Sequence, residues 1–166
     1  MSLSQPTVLL RSPSRIVGVS AGEHGHELLV TLHSQGVSLY DARTQTCLRS
    51  WRTQTGTQLS HAACLHPSTG RLIGVRDDTI LFGWESRGEI SLNACTQTVS
   101  APVLALLHDT ILLDGIVVVL VDGSTVVYDA ALTRQLGATG RPAGGGRAVW
   151  TTLLPLPPGH GTPIAV

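Results

Sequence analysis

Two histidines flank Gly25 in His24-Gly25-His26, the pattern nearest to a metal pair in this chain. Two imidazoles one residue apart share a face if the backbone is extended. A metal needs a third ligand, however, and none lies nearby in sequence; the pair reads as a solvent-exposed loop. Cys64-Leu65-His66 offers a thiol and an imidazole on one face of a strand. A cysteine nucleophile also needs a third group to orient its base, and none can be assigned, so this reads as buried packing. Asp77-Asp78 and Asp122 could suggest paired carboxylates for acid–base work. They occupy hairpin positions, where Asp serves local backbone bonding instead. Gly140–Arg147 is Gly-rich but lacks the Gly-Lys-Ser/Thr of a phosphate-cradling loop. No G-x-S-x-G elbow is present. The expectation is therefore no catalytic residues, no metal and no cofactor.

Charge and composition narrow the partners. Eleven basic residues, all Arg, balance eleven acidic ones. A dedicated nucleic-acid binder carries a basic face or stripe, and zero net charge argues against one. Arg suits packed protein interfaces, because its planar head pairs and stacks with less loss of hydration than Lys. Arg43, Arg49, Arg52, Arg71, Arg76 and Arg87 are spread over strands and turns, as partner contacts or as scattered solubilising charge. Only 13% of the 166 residues are charged and 42% are hydrophobic, so the chain has material for a core and for contact with neighbours. Cys47, Cys64 and Cys95 are odd in number and widely spaced; they read as reduced thiols of an intracellular protein, not a disulfide framework. The N-terminus shows no basic leader before an apolar core, so no signal peptide is expected. The most apolar stretch, Ile111 to Val121, is broken by Asp114 and Gly115 and is too short for a bilayer, so no membrane is implied.

The elements that would carry these residues repeat. Tyr40, Trp84 and Tyr128 follow one another at intervals of 44 residues. Each precedes an acid (Asp41, Glu85, Asp129) and then a small residue (Ala42, Ser86, Ala130). Leu48, Leu92 and Leu136 fall on the same register, as do Leu28, Leu72 and Ile116. So do the triplets Val17–Val19, His61–Ala63, Ala105–Leu107 and Val149–Thr151. In the middle unit, strands are expected at Ser60–His66, Arg71–Val75, Thr79–Trp84 and Glu89–Cys95. Tight turns at Pro67–Gly70, Asp77-Asp78 and Ser86–Gly88 separate them. The third unit reads as strands at Val103–His108, Ile116–Val121, Thr125–Tyr128 and Leu132–Leu136, with a hairpin turn at Asp122-Gly123-Ser124. Ile116–Val121 is apolar throughout, so both its faces should be covered.

Four short strands recurring every 40–45 residues mark a β-propeller. The fold class is thus all-β: a partial β-propeller of about three and a half four-stranded blades, over residues 1–139. Residues 140–166 form a Gly/Pro-rich loop and an irregular segment where a next blade could start. A closed ring has about 4–8 blades. The chain therefore reads as part of a longer propeller, with completion by another chain or a small four-blade closure as alternatives. The aromatic ending each third strand should fill the gap between blades, and the following acid should accept backbone N–H groups of a turn.

The blades resemble the WD40 superfamily, with Tyr40-Asp41, Trp84-Glu85 and Tyr128-Asp129 in place of the Trp-Asp pair and without the usual Gly-His near Gln58–Ser60 or Ser100–Pro102. Val37–Tyr40, Leu48-Arg49-Ser50-Trp51, Gly56, Thr69-Gly70, Asp78 and Ile80–Trp84, within Val37–Val99, resemble the N-terminal propeller of the nucleolar protein eleven family. That resemblance implies a non-enzymatic scaffold subunit of the small-subunit processome in the nucleolus, supporting rRNA transcription and pre-rRNA processing. It also implies sister propeller and helical-repeat partners, with an indirect pre-rRNA association. The alternatives are a WD-repeat-like adaptor in another intracellular complex, with a cytoplasmic address, and a propeller enzyme with a channel site. An enzyme would need convergent His, Asp or Glu on the inner strands, where the repeats offer mostly apolar or small residues. Trp51 is a candidate partner anchor and also a candidate core residue.

Overall fold

In a computed structural model, the described residues are 12, 14–22, 24–53, 56–84, 96–109, 114–144, 153–154 and 164–165. Strands β1 (Ile16–Ala21), β2 (Glu27–Leu32), β3 (Gly36–Asp41) and β4 (Thr46–Arg52) pair in that order as one antiparallel sheet. A second sheet runs β5 (Leu59–His66), β6 (Arg71–Arg76), β7 (Ile80–Trp84) and β8 (Thr96–Thr98). The third runs β9 (Val103–Asp109), β10 (Gly115–Leu120), β11 (Thr125–Asp129) and β12 (Gln135–Thr139). Two short strands, β13 (Leu153–Leu154) and β14 (Ile164–Ala165), pair with each other inside the stretch expected to be irregular. Each large sheet is one blade. The first strands of successive blades lie side by side, β1 beside β5 and β5 beside β9.

Alternation along the middle blade decides which neighbour each residue meets. Successive strand side chains point to opposite faces. Leu59, Ala63, Leu65, Leu72, Phe82 and Trp84 join Leu29, Val37, Leu39 and Trp51 in a core between the first and second blades. Ala62, Cys64, Ile73, Val75 and Leu81 join Val103, Leu106, Ile116, Val118, Leu120 and Tyr128 in a core between the second and third. Each of the larger side chains, Val, Leu, Ile and Phe among them, gains about 1.5–3 kcal/mol from leaving water. A blade alone leaves one or both of these faces wet, so the blades stabilise one another.

The repeat register reappears in this packing. Leu72 and Trp84 face the blade before them, as do Ile116 and Tyr128. The first blade carries Leu28 and Tyr40 at the same positions, and both are half-buried. Val19, which aligns with buried Ala63, is 60% exposed.

Two strand expectations need adjustment. The last strand of the third blade is Gln135–Thr139, not Leu132–Leu136. Asp129 organises residues 130–134 as a turn, and Leu132 takes the left-handed conformation (φ 57°) while burying its side chain completely. In the second blade, the expected strand at Glu89–Cys95 and turn at Ser86–Gly88 lie outside the described residues, and the strand that pairs with β7 is Thr96–Thr98. The aligned Val149–Thr151 and Leu92 also lie outside them. β10 is buried at every position, as its unbroken apolar run requires.

Candidate functional site

The aromatic–acid landmarks close the third strand of each blade. Trp84 is 1% exposed and meets Phe82 edge-on, with ring centroids 4.3 Å apart. Tyr128 is buried in the next seam. Asp41 Oδ1 accepts the backbone N–H groups of Arg43 (2.7 Å) and Thr44 (3.2 Å). Asp129 Oδ1 accepts those of Thr133 (2.7 Å) and Arg134 (3.1 Å), and its Oδ2 accepts the Thr133 hydroxyl (2.6 Å). Glu85, the third acid of the set, lies outside the described residues. Trp51 is 3% exposed within the core between the first two blades. It offers no surface to a partner, because the strand alternation that buries Val37 across from it turns its indole inward.

The Asp129 turn gives a direct test. Burial pushes this carboxyl up, but bonds from Thr133 and Arg134 and the Arg134 charge outweigh it, so its pKa lies below the usual carboxylate value. A depressed folded-state pKa stabilises the fold above the unfolded value, and that stability is lost as pH falls through the folded one. Asp129→Ala is expected to cost about 1 kcal/mol at neutral pH, solvent screening keeping it small. The difference from wild type should shrink below about pH 4, where unfolded Asp protonates. Thermal unfolding at both pH values checks this; an equal deficit at low pH counts against the capping role.

Polar side chains elsewhere stitch the blades together. Ser20 Oγ donates to the Ala63 carbonyl (2.9 Å), joining β1 to β5. His61 Nε2 donates to the Leu104 carbonyl (2.7 Å), joining β5 to β9. Gln97 donates to the Leu132 carbonyl (2.8 Å). The backbone of the Asp77-Asp78 turn, both residues left-handed, accepts Val103 N–H at the Asp78 carbonyl (2.8 Å). A groove of about 500 Å³ opens between the first two blades, lined by Arg15, His33, Ser60, His61, Asp77 and Asp78 among others. Several of its polar groups are engaged in the scaffold: Ser60 bonds Asp78 Oδ1 (2.6 Å), and His33 Nδ1 donates to the Leu59 carbonyl (3.3 Å).

The sequence-level histidine motifs separate in space. His24 is exposed and stacks on half-buried His26 at 5.9 Å, and His26 lies 3.8 Å from Asp41. The Cys64 thiol is pushed up to about 12 by burial and so stays protonated. Its Sγ–H points to the Leu65 carbonyl (3.8 Å), while His66 turns toward Asp114. The pair therefore does not act as nucleophile and base.

His66 instead meets two residues to which the sequence assigned no chemistry, His108 and Asp114. It ends β5, His108 lies near the end of β9, and Asp114 immediately precedes β10. Ligand-capable atoms of all three lie within 4.8 Å of one another. His66 Nε2 is 2.8 Å from the Asp114 carbonyl and 3.6 Å from Asp114 Oδ1. His108 Nε2 is 3.2 Å from the same Oδ1, and the rings meet edge-on with centroids 4.5 Å apart. Ser68 Oγ also donates to that oxygen (3.2 Å). The inner strands, mostly apolar or small as expected, carry two histidines here. Two histidines 42 residues apart, each closing the first strand of its unit, were the available signal.

Chains of known structure resemble this one, three of them as follows. The BBS1N chain of a BBS1N–ARL6DN complex aligns with a TM-score of 0.65 at 12% identity, over 94% of this chain and 50% of that one. BamB from Moraxella catarrhalis aligns with a TM-score of 0.56 at 14% identity, over 78% and 38%. KlAtg21, in complex with the coiled coil of AgAtg16, gives 0.56 at 14%, over 75% and 39%. The sheets, their order and these propeller-like neighbours define the class: the chain is a partial β-propeller.

The family model for the Nucleolar protein 11 N-terminal domain matches residues 2–137. Nucleolar protein 11 of Xenopus laevis is 31% identical over 144 residues, 85% of this chain and 19% of that protein. The chain belongs to the nucleolar protein 11 family and carries its N-terminal domain. It spans about a fifth of the length of that curated relative.

Proposed function

We propose that this chain is a non-enzymatic scaffold subunit of nucleolar ribosome biogenesis, supporting rRNA transcription and processing of small-subunit pre-rRNA. Membership of the nucleolar protein 11 family carries this reading. The chemistry of the blades supports it. The groove between the first two blades has Ser60, His61, His33 and Asp78 engaged in holding strands together, and the Cys64 thiol and His66 imidazole are turned to different partners.

A scaffold of this kind works by geometry. Rigid blades present loops and strand edges at fixed spacing, and partners dock through edges and a few anchor side chains. The proposed partners are sister propeller and helical-repeat subunits of a large assembly, with pre-rRNA reached indirectly. Zero net charge suits that division, because direct RNA binding draws on a basic surface. No helix among the described residues is long and apolar enough to cross a membrane.

The test is proximity labelling with the tagged full chain in cells. The expected result is nucleolar signal and enrichment of small-subunit processing factors over a nucleoplasmic control. A cytoplasmic distribution with labelling of another assembly overturns the reading in favour of a general adaptor.

A further inference from the structure

We infer that His66, His108 and Asp114 form a binding site for a zinc-type divalent metal ion that staples the second blade to the third.

The donor set comes first. Two imidazoles and one carboxylate suit zinc and its neighbours in the transition series; magnesium and calcium prefer all-oxygen shells. Distance comes next. Ligand atoms about 2.0–2.1 Å from a tetrahedral ion stand about 3.4 Å apart. The Asp114 Oδ1 separations from the two Nε2 atoms, 3.6 Å and 3.2 Å, bracket that edge. The third observation is the state of His66. Its side chain is fully buried, yet Nδ1 has no hydrogen-bond partner among the described residues. A buried polar atom left unpaired costs about 1–3 kcal/mol, so packing alone favours an apolar residue here. What fixes the ring is its Nε2 side, which faces Asp114 and His108.

The three ligands also have the right mechanical origins. His66 and His108 stand on the adjacent inner strands β5 and β9, which fixes their separation. Asp114 sits in the left-handed conformation (φ 45°) that turns its carboxylate toward them. Its side chain is 55% exposed, which leaves one side open for the ion to enter and for water to complete the shell. Without metal, the Asp114 carbonyl and carboxylate can only accept, so both Nε2 atoms carry the proton. On binding, each Nε2 gives its lone pair to the metal, and the ring stays neutral by exchanging its Nε2 proton, through solvent, for one on Nδ1.

Cobalt(II) titration of the full chain, followed by its visible absorption, tests this, with zinc competition and thermal unfolding alongside. The expected result is one tetrahedral-type cobalt per chain, displaced by zinc, and a higher unfolding temperature with zinc. Asp114→Asn tests the carboxylate without breaking the turn, because Asn tolerates the left-handed region well. It and His108→Ala should weaken binding at least about tenfold and abolish the zinc-induced rise. The double variant His24→Ala, His26→Ala should bind as wild type. Absence of the cobalt band in wild type overturns the inference, as does a band that survives Asp114→Asn but disappears with His24 and His26. If His108→Ala does not fold, Asp114→Asn alone decides.

Discussion

Trp84→Ala lowers the unfolding free energy by about 3–5 kcal/mol, the range for deleting a large buried aromatic. The indole fills the seam between the first two blades, against Phe82 and within reach of the Gly74 backbone. A Cβ placed on Gly74 would come within 2.8 Å of Trp84 and 3.1 Å of Phe82. The strand backbones around it are held by their ladders, which limits how far the walls of the hole can close. Trp84→Phe costs much less, since it keeps most of the ring volume and removes an indole N–H with no partner among the described residues. Tyr40→Ala, at the same repeat position in the first blade, costs less again because Tyr40 is only half-buried. Urea unfolding of the three variants checks the order. If Tyr40→Ala costs as much as Trp84→Ala, the seam is not what the repeat position serves.

Gly18→Ala has the second-largest expected effect, about 3 kcal/mol, at the upper end for overpacking. Gly18 lies at the β-bulge where the pairing of β1 with β2 shifts register. A Cβ there would stand 1.9 Å from the His61 carbonyl oxygen of the adjacent inner strand. That obstacle is backbone, so relief requires β1 and β5 to separate. Separation strains the Ser20–Ala63 bond and opens the core lined by Leu29, Trp51 and Leu65. Limited proteolysis of Gly18→Ala should release the first blade before the other two, alongside a lower unfolding midpoint. Uniform cleavage across the blades would show that Gly18 does not hold this contact.

The blade plan was legible because it is local. Strand alternation, Asp and Gly turns and the 44-residue register are written in neighbouring residues, and β10 is as buried as its apolar run demanded. Asp122 bonds the Ser124 N–H (3.0 Å) across the Gly123 turn as its composition implied. The last strand of the third blade was misplaced by three residues. A side-chain cap from Asp129 overrode the apolar pattern of Leu132–Leu136 and spent Leu132 on the seam. Trp51 could be weighed as anchor or core, and only the facing blade settled it as core.

By itself, the order of residues determined that this protein is made of four-stranded units that must be stacked, since no unit can hide both its faces alone. It also determined which residues alternate inward, and the family to which the units belong. Tertiary structure alone decided what meets across the seams. The Gly18 approach to His61 and the convergence of His66, His108 and Asp114 join positions on different blades. Such meetings depend on how far one sheet is shifted and turned against the next. That offset is set by the summed shape of many packed side chains, and no local periodicity records it.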